Sequence, residues 1–152
     1  WASFSTNWDT DVKLTFHWIR AILDRPLARG STVIAMSSGA ALRGSPLSGG
    51  YAGAKAMIRF LVDYANGDAA RAELGIRFVA LLPAITPAGG VGRPFVDAYA
   101  RRQGRTVEAF LGGSPLSAAD IGRAVVQIAG DRGLGAHAAF RVDSAGLAAL
   151  AD

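Results

Sequence analysis

The pattern of apolar and polar positions divides the chain into alternating strands and helices. Two short apolar runs, 31–36 and 76–83, are bounded by glycine or proline and are typical of buried strands in a parallel sheet. Helical periodicity precedes the first run over 8–23. It resumes at Tyr51, with apolar residues three and four positions apart, and a loop or short break is expected at Asn66-Gly67. The alternation predicts an α/β fold.

The second half of the chain continues the alternation. Residues 92–113 predict a helix or a helix pair, and 117–120 form a capping-box variant that opens a further helix. Residues 138–142 predict a last strand at a sheet edge, followed over 144–150 by a short apolar tail. The glycines of 89–92 follow a strand without the spacing of a phosphate-binding loop, so a flexible loop is expected there. The sheet is therefore expected to have about three strands with flanking helices.

Tyr51 and Lys55 are a candidate chemical pair. They stand four residues apart, and a helix places such positions on one face, one turn from each other. Lys55 is one of only two lysines, against fourteen arginines. A neighbouring ammonium favours the ionised form of a phenol, so such a tyrosine can transfer a proton near neutral pH. The alternative is a solvated helix pair worth about 0.2–0.5 kcal/mol.

A serine is expected close to that pair. Ser38 follows the strand over 31–36, and a loop rich in glycine, serine and proline leads from it to Tyr51. In open α/β sheets, ligands bind at the carboxyl ends of strands, so both hydroxyls can reach one substrate oxygen. The alternative for Ser38 is a strand-end serine that caps a local turn.

These residues also carry a family resemblance. Ser38, twelve intervening residues, Tyr51, three more and Lys55 together resemble the active-site signature of the short-chain dehydrogenase/reductase family. The segment 33–46 is similar to that family as well, and the likeness runs from about Trp8 to near the C-terminus. The resemblance implies a Rossmann-like, doubly wound parallel sheet that binds NAD or NADP. It also implies hydride transfer between a small carbonyl and an alcohol.

The resemblance assigns roles by position. Tyr51 would be the general acid/base, Ser38 would hydrogen-bond the same substrate oxygen, and Lys55 would bind the nicotinamide ribose and favour the phenolate. Asp11 falls where many members carry an asparagine that holds a proton-relay water. A carboxylate there is expected to pair with Lys55. The alternative for Asp11 is an acid near a helix N-terminus that interacts with the helix dipole.

The segment after the second strand corresponds to the family's nicotinamide-covering loop. The resemblance implies cofactor contacts from Pro83, Ile85 and Thr86, while Ala84 replaces the usual glycine. The alternative for Thr86 is a turn residue before Pro87. The region over 92–113 corresponds to the family's substrate lid, whose apolar residues either line a pocket or pack on the core.

The family's nucleotide-binding half is the part that this sequence lacks. A glycine-rich turn and a cofactor-selecting residue normally precede this region, and neither is present. We therefore expect residues 1–152 to be a single domain that is the C-terminal part of the fold, whether a fragment, a split subunit or the ordered part of a longer chain. Such a remnant would expose an apolar sheet edge and would need the nucleotide-binding half in the same chain or another.

Two other functions remain open from the sequence. The first is a non-catalytic relative that serves as an assembly partner, which Asp11, Ala84 and the absent half favour. The second is a nucleotide-sugar epimerase or dehydratase, which also carries Tyr-x-x-x-Lys. The short C-terminal region and the spacing from Ser38 to Tyr51 argue against the second.

Composition narrows the partners. With no cysteine, disulfides and thiolate chemistry are excluded, which fits a reducing, cytoplasmic compartment. No apolar run approaches the ~18–20 residues of a membrane span. The net charge of +4 is modest and the arginines form no basic stripe, so no nucleic-acid partner is expected. Metal-ligand spacing is absent, and His17 and His137 are expected to be packing or surface residues. The preference for arginine indicates a GC-rich bacterial gene.

The resemblance also implies an assembly. In the family, the helix before the serine strand and the tyrosine helix form the usual dimer interface. The small residues Ala52, Gly53, Ala54 and Ala56 allow close helix approach. A homodimer or homotetramer is therefore expected, acting on a small-molecule carbonyl or alcohol.

Overall fold

Helices and strands alternate along the chain as the sequence pattern predicts. The computed structural model describes residues 1–87, 92–112, 115–134 and 137–150. The helices are α1 Ala2–Asn7, α2 Lys13–Asp24, α3 Ala40–Arg43, α4 Tyr51–Arg71, α5 Gly92–Arg102, α6 Val107–Leu111 and α7 Ala118–Gly130. The strands are β1 Thr32–Met36, β2 Arg77–Pro83, β3 Ala139–Asp143 and β4 Gly146–Ala149. A π-helical turn, Trp8–Val12, joins α1 to α2, and a 3-10 turn, Arg132–Leu134, follows α7.

The strands form one open, mostly parallel sheet in the order β1-β2-β3-β4. β1, β2 and β3 are parallel, with Ile34 opposite Val79 and Leu81 opposite Phe140. β4 runs antiparallel to β3, with Leu147 opposite Val142. The predicted α/β class and the first two strands are confirmed. The expected tail over 144–150 was wrong, because it turns back and pairs with β3, so the sheet has four strands and β4 forms its edge.

Helices cover both faces of the sheet. On one face α2 and α4 pack on Phe78, Ala80 and Leu82 of β2, and on the other α7 packs on Val79 and Leu81 of the same strand. Successive strand residues point to opposite faces, so this all-apolar strand supplies two separate core clusters. The arrangement is compatible with a Rossmann-like fold.

The two crossover connections between parallel strands, β1 to β2 and β2 to β3, have opposite handedness. Both add a strand in the same direction across the sheet, yet α4 lies on one face and α7 on the other. A short crossover between parallel strands is right-handed in about 98% of cases. The longer connection leaves the sheet through α5 and α6 before it reaches α7. This excursion places α5 and α6 beside the carboxyl ends of the strands.

Asn66 explains why α4 does not break where the sequence predicts. Its side-chain amide donates to the Phe78 carbonyl and its side-chain oxygen accepts from the Phe78 N–H, each at 2.9 Å. The residue therefore ties the middle of α4 to β2, and the expected loop at Asn66-Gly67 was wrong. α4 ends at Arg71, and Gly75 beyond it has φ 66°. Such a backbone favours glycine.

The capping box predicted at the start of α7 is present. Ser117 and Asp120 form the full capping box at the start of α7, with reciprocal side-chain and backbone hydrogen bonds. The Ser117 hydroxyl and N–H, followed by Arg123, hold the pKa of the Asp120 carboxyl below its usual range. His17 and His137 are exposed, and their rings lie edge-on against those of Phe16 and Phe140, as expected of packing or surface residues.

The outer edge of β1 is unpaired within the described ranges. β1 bonds only to β2, its residues are half-buried, and Met36 at its end is exposed. α2 also exposes Leu14 and Trp18, whose accessible fractions are 60% and 64%. The predicted apolar edge is therefore present. By contrast, β4 covers the edge of β3.

Two features are absent from the described ranges. None of their helices combines the length and apolar character that a membrane crossing requires. In the same residues, no three His, Cys, Asp or Glu side chains gather closely enough to hold a metal ion.

Candidate active site

A cavity opens where β1 and β2 end. The N–H of Gly39 donates to the Pro83 carbonyl at 2.9 Å, so the two strand ends are tied together just beyond the sheet. The cavity beside this junction has a volume of about 600 Å³. All of the predicted site residues except Lys55 and Asp11 line it, namely Ser38, Tyr51, Pro83, Ile85 and Thr86. We call this side of the cavity the strand-tip wall.

The position of Tyr51 is set by a close approach between the start of α4 and the backbone of α1. It is the first residue of α4, and its N–H donates to the Ser48 carbonyl at 3.0 Å. A Cβ on the preceding residue, Gly50, would lie 2.0 Å from the Phe4 carbonyl oxygen of α1. Only glycine leaves room for this approach. The start of the tyrosine helix is therefore fixed by contact with α1.

Lys55 lies one helical turn behind Tyr51 and does not line the cavity. Its Nζ is 3.1 Å from Asp11 Oδ2, donates to the Met36 carbonyl at 3.2 Å, and stands 5.6 Å from the centroid of the Tyr51 ring. That last distance is within the range of a cation–π contact. The side chain is only 12% exposed. The structure therefore brings the predicted ammonium and phenol together, and it shows the predicted pairing with Asp11.

Asp11 reaches Lys55 from the π-helical turn. Helical backbone runs unbroken from Ala2 through this turn into α2, so Asp11 lies well inside the helical segment. The alternative role at a helix N-terminus was therefore wrong. A π-turn inserts one residue into a helix and is frequent at functional sites. Nothing in the residue pattern signals this turn.

Ser37 is a site residue that sequence reasoning missed. It is 6% exposed, and its hydroxyl donates to the Lys55 carbonyl at 2.7 Å. The bond fastens the first turns of α4 to the end of β1. Its one sequence signal is its place directly before Ser38, at the end of a strand.

Ser38 combines a local turn bond with a place in the cavity lining. Its Oγ accepts a hydrogen bond from the Ala40 N–H at 3.2 Å, which is the local turn role. The residue also lines the cavity beside Tyr51. A hydroxyl that accepts one bond keeps its own hydrogen to donate. Ser38 can therefore hydrogen-bond a ligand oxygen while it holds the turn.

Helices α5 and α6 form the opposite side of the cavity. Phe95, Tyr99, Gln103 and Phe110 line it, and we call this set the α5–α6 wall. The rings of Tyr99 and Phe110 stack with centroids 6.2 Å apart and planes at 7°. The sequence left pocket lining and core packing open for this region, and the structure places these aromatic rings on the pocket. Sequence reasoning did not single out Gln103, because no motif distinguishes it from other surface residues.

The segment after β2 is partly occupied by sheet pairing. The N–H of Ala84 donates to the Val142 carbonyl at 2.8 Å, so Ala84 continues the β2–β3 ladder. A Cβ on Gly92 would lie 1.8 Å from the Thr86 carbonyl oxygen, so glycine is required there. Of the flexible loop predicted over 89–92, residues 89–91 lie outside the described residues, and Gly92 begins α5.

No protein-family model matches the chain, and no curated protein matches it at a significant level. Membership of the short-chain dehydrogenase/reductase family therefore remains a proposal. Its support is the spacing of Ser38, Tyr51 and Lys55 and the cavity that these residues adjoin.

Proposed function

We propose that this protein is the catalytic part of an NAD(P)-dependent oxidoreductase of the short-chain dehydrogenase/reductase type, with a Rossmann-like doubly wound sheet. One observation carries the proposal: Ser38 and Tyr51 line a single cavity at the carboxyl ends of parallel strands, with the Lys55 ammonium beside the Tyr51 ring. Ligands bind at this edge in open α/β sheets. The reaction interconverts a small carbonyl and an alcohol.

The residues divide the chemistry between them. Tyr51 gives a proton to the carbonyl oxygen in reduction, or takes it from the alcohol in oxidation. Ser38 donates a hydrogen bond to the same oxygen and fixes its position. When bound, the nicotinamide supplies or accepts the hydride. The protein's own contribution is the placement of two hydroxyls and one cation.

Lys55 has one donor left for a cofactor hydroxyl. An ammonium has three N–H donors, and the Asp11 carboxylate and the Met36 carbonyl take two of them. The third is free to bind a ribose hydroxyl. Pro83, Ile85 and Thr86, on the same cavity, are the residues that would hold the nicotinamide.

Asp11 acts in this scheme through Lys55. Its carboxylate balances the lysine charge and fixes the ammonium beside the tyrosine ring. A carboxylate accepts hydrogen bonds and can hold a water, but it cannot donate as an amide does. A proton-relay water bound to Asp11 would therefore find a hydrogen-bond acceptor there and no donor.

The open edge of β1 supports the need for a nucleotide-binding half. The residues proposed to hold the nicotinamide leave the other end of a dinucleotide without assigned contacts, so that end needs a further surface. The free strand edge and the exposed Leu14 and Trp18 of α2 offer a place where a further strand and helix would pack. We propose that such a half, in the same chain or another, adds there.

The proposed homo-oligomer is cytoplasmic and uses the outer face of α4. Ala52 and Ala54 are buried within the chain, so these two small residues serve internal packing, whereas Gly53 is exposed. Phe60 and Tyr64 instead stack on the exposed side of the helix, with centroids 6.5 Å apart. A homodimer or tetramer would cover them.

The alternative is a non-catalytic relative that serves as an assembly partner. The direct pairing of Asp11 with Lys55 favours it, because the carboxylate competes with a cofactor for the ammonium. Ala84 favours it too, since its N–H is already bonded to β3. Cofactor binding by the intact assembly separates the two functions.

Substitution of Tyr51 by phenylalanine tests the proposal. Hydride transfer by the complete protein is followed through the absorbance of NAD(P)H with neutral aldehydes and ketones. Removing the proton-transferring hydroxyl in Tyr51→Phe is expected to lower kcat by about 10²–10⁴-fold. Circular dichroism is expected to show an unchanged fold, because the ring is kept.

The matched control lies on the same helix. Tyr64→Phe removes a hydroxyl from a side chain that is 61% exposed, and its activity is expected to equal that of the unmodified protein. Equal activity of Tyr51→Phe and Tyr64→Phe would contradict the assignment of Tyr51. Absence of both turnover and cofactor binding would favour the assembly partner.

A further inference from the structure

The cavity is bounded by uncharged side chains. None of its described lining residues is Asp, Glu, Lys, Arg or His. The nearest charged residues of the predicted site, Lys55 and Asp11, pair with each other outside the lining. Within the described lining, a ligand therefore meets no charged side chain.

An uncharged wall selects against ions. A carboxylate, phosphate or ammonium group that enters such a cavity loses hydration and gains no counter-ion. The effective desolvation penalty for each unpaired ion is large in proteins. A neutral molecule avoids this penalty, so the cavity discriminates by charge before any group-specific contact is made.

The two walls differ in polarity. Ser38 and Tyr51 bring hydroxyls to the strand-tip wall, whereas the α5–α6 wall presents the stacked rings of Tyr99 and Phe110 and the half-exposed ring of Phe95. Aromatic rings pack best against other flat groups in offset or edge-on arrangements. A ligand that fits both walls has an oxygen at one end and a flat apolar body at the other. A volume of about 600 Å³ accommodates one.

We infer that the substrate is an uncharged ketone, aldehyde or alcohol that carries an aromatic or similarly flat apolar group. The inference rests on the proposed function and names its substrate class. Gln103 is the specificity-determining residue at the exposed end of the α5–α6 wall. It is the one amide side chain among the described lining residues, and it directly follows α5. An arginine there would supply the missing counter-ion.

Three matched probes test the inference by direct binding. Acetophenone, methyl 4-acetylbenzoate and 4-acetylbenzoate share a ring and a carbonyl, and the last two differ mainly in charge. Binding to the purified protein is measured by titration with NMR detection, which does not require turnover. We expect both neutral probes to bind and the carboxylate to bind at least about tenfold more weakly, which corresponds to about 1.4 kcal/mol.

Gln103→Arg is expected to reduce that difference to less than about threefold or to reverse it, because the guanidinium pairs with the carboxylate. Gln127→Arg is the matched control, since Gln127 is exposed on α7 and does not line the cavity. It adds the same charge elsewhere and is expected to leave the discrimination unchanged.

Two results would overturn the inference. One is binding of the carboxylate as tightly as its methyl ester by the unmodified protein, and the other is no binding of either neutral probe at millimolar concentration. Hydride transfer through Tyr51 is measured separately. Retained discrimination without turnover would remove the proposed function alone, whereas turnover without discrimination would remove the substrate class alone.

Discussion

The two walls of the cavity are built in different ways. On the strand-tip side, polar groups are fixed by neighbours: Ser37 donates to the Lys55 carbonyl, and Lys55 is held by Asp11 and the Met36 carbonyl. On the α5–α6 side, the rings of Tyr99 and Phe110 mainly hold each other. The buried Tyr99 hydroxyl has no hydrogen-bond partner among the described residues. The groups proposed to carry the chemistry therefore lie on the sheet framework, whereas those proposed to select the substrate lie on a unit that can change separately.

This difference has a physical basis. Groups that transfer protons require fixed geometry, which strands and a long helix supply through backbone hydrogen bonds and dense packing. Groups that select a substrate by shape and polarity act through surface contact and tolerate substitution. Mutations on the strand-tip side should therefore mainly change stability, whereas mutations in the α5–α6 wall should mainly change substrate selectivity.

The largest expected contrast comes from the same substitution in each region. Phe78→Ala removes a fully buried ring from the β2 core and is expected to lower the free energy of unfolding by about 3–5 kcal/mol. Phe95→Ala, in the α5–α6 wall, removes a ring that is 40% exposed and should cost only about 1 kcal/mol. Urea denaturation measures both. Equal losses would show that the wall belongs to the framework.

Asp11 offers the next contrast. Asp11→Ala leaves the Lys55 ammonium without its carboxylate and is expected to cost about 1–3 kcal/mol of unfolding free energy, with a fall in kcat/KM for the complete protein. Asp11→Asn keeps a hydrogen-bond acceptor for the lysine, so its losses should be smaller. If Asp11→Ala and the unmodified protein agreed in both measurements, the ion pair would have no positioning role.

Substitution of Tyr99 has the smallest expected effect, and it is expected to raise the free energy of unfolding instead of lowering it. Tyr99→Phe removes a buried hydroxyl that lacks a described partner and keeps the stacked ring, so the free energy of unfolding is expected to rise by about 1 kcal/mol. The same denaturation series measures it. A decrease in stability would show that the hydroxyl is bonded, and the α5–α6 wall would then be as firmly held as the strand-tip wall.

The parts of the fold that the sequence predicts are those with strong local patterns. β1 and β2 are continuous apolar runs, and Ser117 with Asp120 is a local capping signal, so each was correct. β4 was missed because 146–149 consists of glycine, leucine and alanine, which lack the β-branched and aromatic side chains typical of strands. Asn66 suggested a break because its bond to β2 is a tertiary contact.

The candidate site divides in the same way. Ser38, Tyr51 and Lys55 were found because chemistry constrains their spacing. The pairing of Asp11 with Lys55 was anticipated from the place that the family resemblance gives Asp11, but no local pattern indicates the π-turn from which Asp11 reaches the lysine. Gln103 reaches the cavity only through the position of α5, which no local pattern encodes.

The free edge of β1 has a consequence for the protein in solution. Its five residues include neither proline nor a charged side chain, the two devices that commonly block sheet growth. Uncovered, this edge is a template on which another extended segment can hydrogen-bond. Solubility at high concentration thus depends on whether that row of amides and carbonyls is shielded. A strand that pairs with this edge would protect the protein from aggregation as well as serve as a binding partner.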